Sequence, residues 1–482
     1  LHFSKLRFRI REVTTMERNS RTSLYEKLYN EIKQEIICGK LKEGAKLPSK
    51  RAQAERLGIS VVTVENAYAQ LLAEGYIAAR ERSGYYVCAA EFPAPQAAET
   101  SAQAENDERE ETTAEPPQQF GSELFPFSVW TRLMRTVILE KGSAILAPVP
   151  PGGAPELQAA ISAHLRSYRG IAVPPHRIIV GAGTEYLNNL LVQLLGSGLT
   201  YAVENPGYHK PARIYRLNGA LCLPIGIDQH GILADELYYK NVDVAHISPA
   251  HHFPTGIVMP ISRRLELMKW ASRRNGYIIE DDYDSEFRFD TRPLPSLQGM
   301  AGADGPVVYL STCSRSLAPS IRIAYMVLPE QLLPAWHAKY ALYSGTVSRF
   351  EQQTLARFIT GGYFTRHLAR ERVAYKARRD ALTKALREAF APEELHLTGL
   401  HTGLHLLASL KNAPPDAALH AAAKAQGVAL SLLSDYDLTG GEQDFSGTFV
   451  LGYGSLSEAS FPEAGETLRK VCTAAREASV TV

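Results

Sequence analysis

In the larger C-terminal part of this chain, small residues, carboxylates and aromatic side chains gather at the ends of short apolar runs, where their chemistry could serve a ligand. Gly181-Ala182-Gly183-Thr184-Glu185 follows the apolar run RIIV and precedes the helical pattern YLNNLLVQLL. Free backbone N–H groups therefore gather at a helix N-terminus and can cradle a phosphate. Strand-to-helix turns also use glycine for steric reasons alone. Asp281, Asp282 and Tyr283 close the run YIIEDDYD, where a carboxylate can hold a pyridine nitrogen protonated and keep the ring an electron sink. The turn HHFPTG, 251–256, ends another apolar run and offers polar and aromatic edges. None of these is decisive separately.

The elements that must hold these residues are legible as a pattern. From Phe120 onward the short apolar runs RIIVGAG, YAVENPG, VAHISPA, YIIEDDYD, VVYLSTCS and IAYMVLP alternate with helical periodicities. Such alternation predicts crossover units and an α/β fold with a mainly parallel sheet covered by helices on both faces. Ligands of such sheets sit at the carboxyl ends of the strands, where the candidate residues lie.

The N-terminal part reads differently. Leu24, Leu28, Ile32, Ile36 and Ile37 recur at helical steps over 23–38, and Gly39 stops that helix. Pro48 and Ser49 open a second helix that Gly58 closes; a third runs over 60–74, with Ser60 as N-cap and Val64, Ala67, Leu71 and Leu72 inward. Segments 76–80 and 85–87 form a hairpin with Arg80, Arg82, Ser83 and Gly84 at its tip. This is a small α/β winged helix-turn-helix, whose second helix can enter the major groove of double-stranded DNA.

Composition agrees with a multidomain globular protein: 482 residues, 45% hydrophobic and 21% charged, exclude a fibrous or wholly disordered chain. Charge is distributed in blocks. Residues 1–88 hold 16 Lys and Arg against 10 Glu, a net +6 that suits a polyanion, whereas 89–119 sum to −7 and the remaining 363 residues to +2. Segment 89–119 is rich in Ala, Glu and Pro and too poor in apolar area to offset ordering entropy, so it reads as an acidic linker. The organisation predicted is an N-terminal extension 1–22, a DNA-binding domain 23–88, the linker 89–119 and a large domain 120–482. With Leu1 first and Met16 the first methionine, 1–15 reads as an upstream extension of the start.

Cys38, Cys88, Cys222, Cys313 and Cys472 lie far apart, so neither a disulfide framework nor a metal site such as zinc has sequence support, and they read as buried free thiols. No stretch approaches the roughly 20 apolar residues of a membrane helix. The first residues are charged where a secretory signal needs an apolar core. A cytoplasmic protein without a membrane partner is expected.

The motifs G-x-L-x-x-G-x-x-LPS-x-R, LG-x-S-x-x-TV-x-x-AY-x-x-L-x-x-EGY and GYYV resemble the GntR-type DNA-binding domain over 23–88. That resemblance makes Arg51, Ser60, Val62, Thr63 and Gly84 the candidate DNA contacts; Val61 stands where family members often have Arg. The order PG-x-x-x-L, VENPGY, SPAHHFPTG, IIEDDYDSEFRF, STCSRSLAPSIRIAYMVLP resembles the fold type I aminotransferase superfamily and specifically its MocR/GabR-type members. These join a GntR-type winged helix to an aminotransferase-like domain through a variable linker. The resemblance implies a transcription regulator, a homodimer and a small-molecule effector. It also implies a pyridoxal phosphate pocket: Gly183 and Thr184 at the phosphate turn, Tyr208 over the ring, Asp281 at the pyridine nitrogen and Tyr283 near the cofactor hydroxyl, with Thr312, Ser314 and Arg322 as further phosphate ligands.

Two departures change the expected chemistry. The family motif S-K-x-L-x-P-x-[LI]-R carries the lysine that forms the Schiff base, and SRSLAPSIR has Arg315 at that place. A guanidinium stays protonated and is a poor nucleophile, so covalent capture is lost together with the general base of transamination. An ungapped match also puts Gly447 or Thr448 where aminotransferases have the arginine that binds a substrate carboxylate. The reading is a DNA-binding regulator whose degenerate domain has no catalytic residue and senses a small molecule, with pyridoxal phosphate held non-covalently or an amino-acid-related ligand. The alternative is a working aminotransferase with an auxiliary DNA module, for which Lys210 is the spare amine.

Overall fold

A computed structural model describes residues 24–80, 83–88, 124–290, 294–302, 304–441, 445–454 and 460–480. The expected extension 1–22, the linker 89–119 and Arg82 lie outside these residues. Internal contacts divide the chain into two compact units, Leu1–Glu110 and Glu111–Val482.

In the first unit, helices α1 (Leu24–Ile37), α2 (Lys50–Leu57) and α3 (Val61–Ala73) precede strands β1 (Ile77–Arg80) and β2 (Gly84–Val87). The caps explain the boundaries. Ser49 Oγ accepts the Ala52 N–H at 3.2 Å, Gly58 ends α2 in the left-handed region at φ 64°, and Ser60 Oγ accepts the Thr63 N–H at 3.1 Å. Leu28, Ile32, Ile36, Val64, Ala67, Tyr68, Leu71, Ile77 and Val87 close one small core. The antiparallel hairpin pairs Ile77 with Val87 and Arg80 with Gly84.

The second unit opens with α4 (Phe127–Lys141) and α5 (Pro155–Arg169). Its main succession is β3 (Ile178–Ala182), α6 (Thr184–Leu195), β4 (Thr200–Asn205), α7 (His209–Leu217), β5 (Leu221–Asp228), β6 (Gly231–Ile232), α8 (Ala234–Tyr239), β7 (Val244–Ile247), α9 (Ile261–Arg274), β8 (Tyr277–Asp282), α10 (Leu297–Ala301), β9 (Val307–Thr312) and β10 (Ile323–Val327). These strands form one sheet in the order β3-β10-β9-β8-β7-β4-β5-β6. From β9 to β5 neighbours are parallel, while β10 runs antiparallel to both β9 and β3. Both faces are buried: Ile178, Val180, Ile323 and Tyr325 belong to one core, and Ile179, Ala324 and Met326 to another. That is why these strands read as continuous apolar runs.

All six apolar runs are strands, but β5 has no counterpart among them. Pro224 interrupts it, which a strand tolerates when, as here, β4 lines one side and the two-residue β6 touches only its far end.

Beyond α11 (Leu333–Tyr340), α12 (Arg349–Thr360) and α13 (Tyr363–Ala389), a separate antiparallel sheet orders β11 (Leu395–Thr398), β12 (His405–Leu410) and β13 (Thr448–Gly452). Together with α13, α14 (Asp416–Ala425) and α15 (Phe461–Val480) it encloses its own core around Phe287, Tyr375, Leu406 and Phe449. Of the cysteines, Cys222, Cys313 and Cys472 are buried; Cys38 is exposed at the end of α1, which corrects the expectation of buried thiols, and Cys88 is half-buried.

Candidate functional site

Strand register brings the distant motifs to one edge of the sheet. Ile323 pairs with Ala182 and Ala324 with Thr312, so Arg322, just ahead of β10, falls beside the turn after β3 and the end of β9. Arg322 itself is left-handed, at φ 52°. Gly183 shows how closely these parts approach: a Cβ built there would stand 2.3 Å from Arg322 Nη2 and 2.9 Å from Glu185 Oε2. The turn also holds φ 92°, which favours glycine. Thr184 begins α6, whose free N–H groups open onto this turn. Arg322 Nη2 lies 2.6 Å from Glu185 Oε2, and Lys210 Nζ lies 3.2 Å from Glu185 Oε1. Thr312 Oγ1 accepts the Ser314 N–H at 3.1 Å and donates to Ser314 Oγ at 3.0 Å.

The two carboxylates ending β8 point to opposite faces, as strand alternation requires. Asp282 is tied into the core by Arg169 of α5 at 2.8 Å and by the Tyr309 hydroxyl at 2.6 Å. Asp281 Oδ2 faces His246 Nε2 at 3.4 Å, and His246 Nδ1 meets the Tyr215 hydroxyl at 2.5 Å. The other oxygen of Asp281, Oδ1, is buried and has no hydrogen-bond partner among the described residues. An unpartnered buried carboxylate oxygen costs free energy unless a donor reaches it.

Tyr283 Oη lies 3.2 Å from His251 Nδ1, which also sits 2.8 Å from Asp284 Oδ2. Tyr208, at the head of α7, meets Phe253 edge-on at 6.1 Å. Burial pushes the Tyr208 hydroxyl up and the Tyr283 hydroxyl well above its usual range, and the charge of Arg315 acts on both in the opposite sense. Burial holds His405 neutral, a tendency the same charge reinforces. Arg315 is half-buried and makes no hydrogen bond or ion pair with a described residue.

The residues singled out in the sequence thus form a glycine turn beside a cation (Gly183, Thr184, Arg322), a hydroxyl pair (Thr312, Ser314) and a carboxylate with a free oxygen (Asp281), with Arg315 in electrostatic range of both Tyr208 and Tyr283. Lys210 is engaged by Glu185 at the rim. Thr448 begins β13 with its hydroxyl 3.1 Å from Ser409 Oγ. The sequence reading missed His246 and Glu185. A histidine inside the apolar strand VAHI was a signal for the first, whereas only the fold places Glu185 against Arg322.

On the small unit, Arg51 is exposed without a hydrogen bond or ion pair to a described residue. Ser60 and Thr63 share a hydroxyl contact of 2.8 Å within the cap, so both side chains already serve the helix. Val62 is 63% exposed beside them. Gly84 turns the hairpin at φ 111°, with Lys46 Cε 3.3 Å from where a Cβ would stand. Arg80 stacks on the Tyr86 ring at 4.5 Å.

Comparison with known proteins gives this architecture its class. Residues 24–87 match the family of bacterial regulatory proteins described as gntR, and residues 119–438 match aminotransferase class I and II. The uncharacterized HTH-type transcriptional regulator YhdI of Bacillus subtilis is 36% identical over 92% of this chain and 94% of its own length. The probable rhizopine catabolism regulatory protein MocR of Rhizobium meliloti is 30% identical over 94% of each. In fold, the multiple substrate aminotransferase of Thermococcus profundus superposes with a TM-score of 0.66 at 23% identity, over 74% of this chain and 90% of that one. The chain belongs to the MocR-type regulators, which join a GntR-type helix-turn-helix to an aminotransferase class I and II domain, and it is a DNA-binding transcriptional regulator. The aminotransferase fold is one that typically binds pyridoxal phosphate. Among the described residues no helix is long and apolar enough to cross a membrane.

Proposed function

We propose that the aminotransferase-like domain is a receptor that holds pyridoxal phosphate, or an amino-acid-related ligand, without a covalent bond, and that occupancy alters how a homodimer engages its operator. The observation that carries this reading is Arg315. It stands in SRSLAPSIR where the family has its lysine, it is half-buried, and no described residue pairs with it. A guanidinium there can grip a phosphate or carboxylate but cannot serve as an amine nucleophile.

The remaining residues fit the cofactor. Asp281 Oδ1 is buried and unpartnered, as a carboxylate awaiting a protonated ring nitrogen would be, and Gly183 leaves no room for a side chain where the phosphate turn must stay open. Asp281 would hold the ring nitrogen, oriented by His246 behind it. Gly183, Thr184, Thr312, Ser314 and Arg322 would hold the phosphate, Tyr208 would cover the ring, and Tyr283 would donate to its hydroxyl. The cofactor, when bound, supplies an electron sink; with Arg315 in place the pocket binds and orients but has no amine to move the proton.

The test is titration of the full-length protein with pyridoxal phosphate, followed by borohydride. The wild type should bind, shown by a change in DNA affinity, with no borohydride-stable mass gain, whereas Arg315→Lys should gain that mass. A wild-type protein that becomes covalently loaded and turns over amino groups would establish the enzyme instead.

A further inference from the structure

We infer that Val61 and Val62, on the first turn of α3, read thymine methyl groups in the major groove, so that the operator half-site has thymine where this turn meets the bases. The inference rests on the DNA-binding reading of the small unit and adds the chemistry of what is read.

Val62 is 63% exposed and Val61 43% exposed, whereas Val64 on the same helix is fully buried in the core. Single exposed apolar side chains are ordinary. Two adjacent ones at this place are informative, because the N-terminal residues of a recognition helix are those that meet base edges. Neither valine helps to build the helix. β-Branched residues lose side-chain freedom there, and the cap is made by Ser60 and Thr63, whose hydroxyls lie 2.8 Å apart. One hydroxyl donates to the other and Ser60 Oγ also accepts the Thr63 N–H, so much of their polar capacity is spent within the cap, and the exposed side chains of this first turn are the two isopropyl groups.

A valine can neither donate to nor accept from a base. The one apolar mark in the major groove is the C5-methyl of thymine, which distinguishes a T·A pair by contact alone. The carboxylate one turn further along, Glu65, is held by Lys50 at 2.5 Å, which offsets the repulsion that a bare carboxylate would bring toward the phosphates.

The experiment exploits the difference between thymine and uracil, which is that methyl. The full-length protein selects from a random-sequence duplex pool, and each conserved thymine of the recovered duplex is then replaced by deoxyuridine. At one or two positions per half-site the wild type should lose about fourfold in affinity, the effect of one methyl withdrawn from water. Val61→Ala/Val62→Ala should bind the thymine and uracil duplexes alike. Its retention of salt-dependent binding to unselected duplex would show that it is folded. Equal wild-type affinity for all thymine and uracil pairs, or undiminished discrimination by the double variant, overturns the inference. Recovery of no enriched sequence would overturn the DNA-binding reading beneath it.

Discussion

Arg322 already has an anion within reach. Glu185 Oε2 lies 2.6 Å from its guanidinium and spreads its other oxygen toward Lys210. A phosphate entering the turn at Gly183 must compete with that carboxylate for the same cation. The pair is half-exposed, with Arg322 at 50% and Glu185 at 32%, so solvent screening keeps it in the range of about 0–1 kcal/mol. Glu185→Gln should therefore raise the affinity for pyridoxal phosphate and for inorganic phosphate by up to about fivefold at low ionic strength. Isothermal titration against the wild type checks this, and an unchanged affinity would mean that Glu185 does not oppose the ligand. Asp281, Arg315 and the glycine turn stood out in the sequence because each offers chemistry that few other residue types can supply. Glu185 did not, since an acid in the first turn of a helix reads equally well as a partner for the helix dipole.

At the scale of elements, the small unit depends on its caps. Ser60 begins α3 by accepting the Thr63 N–H at 3.1 Å, and α3 carries Val64, Ala67, Tyr68 and Leu71 into the only core found for the described residues of that unit. Ser60→Ala should lower the stability of this unit by about 1 kcal/mol. Thermal unfolding of the full chain, followed by a probe on the small unit, would show the lower midpoint. The helices here were readable to within a residue or two, because Ser49, Gly58 and Ser60 carry out in the structure the capping their types suggest. The sheet was less readable at its margins. β5 includes Pro224, and β12 takes as one partner β13, which comes only after α14 along the chain. A one-dimensional pattern records local periodicity, whereas such strands are stabilised by neighbours that the local sequence does not name.

At the scale of the whole molecule, buried titratable groups set a pH optimum. Burial, reinforced by the charge of Asp282, pushes Glu286 up to about 8, and burial pushes Glu204 up to about 8. Folded, these carboxyls keep protons that the unfolded chain releases above about 4.5. The folded state then binds more protons, and stability falls as pH rises from about 4.5 to about 8. Burial pushes His252 down to about 3, so an opposing loss sets in as pH falls below about 6.5. Between about 4.5 and 6.5 the two carboxyls outweigh the one imidazole, so urea unfolding of the larger unit should show greatest stability near pH 4.5, with a loss on the order of 5 kcal/mol by pH 9; a profile flat over that range would contradict this.

The reversed course of β10 has its own consequence. Inserted between β3 and β9, it sets Arg322 beside the Gly183 turn only while Ile323 faces Ala182 and Ala324 faces Thr312. Its side chains feed two cores in alternation. A slip by a single position would exchange every one of them between the two interiors. The placement of a half-exposed cation is therefore guarded by oil-like residues of two interiors, and a one-residue insertion ahead of Ile323 should displace Arg322 from the Gly183 turn more surely than many substitutions around it.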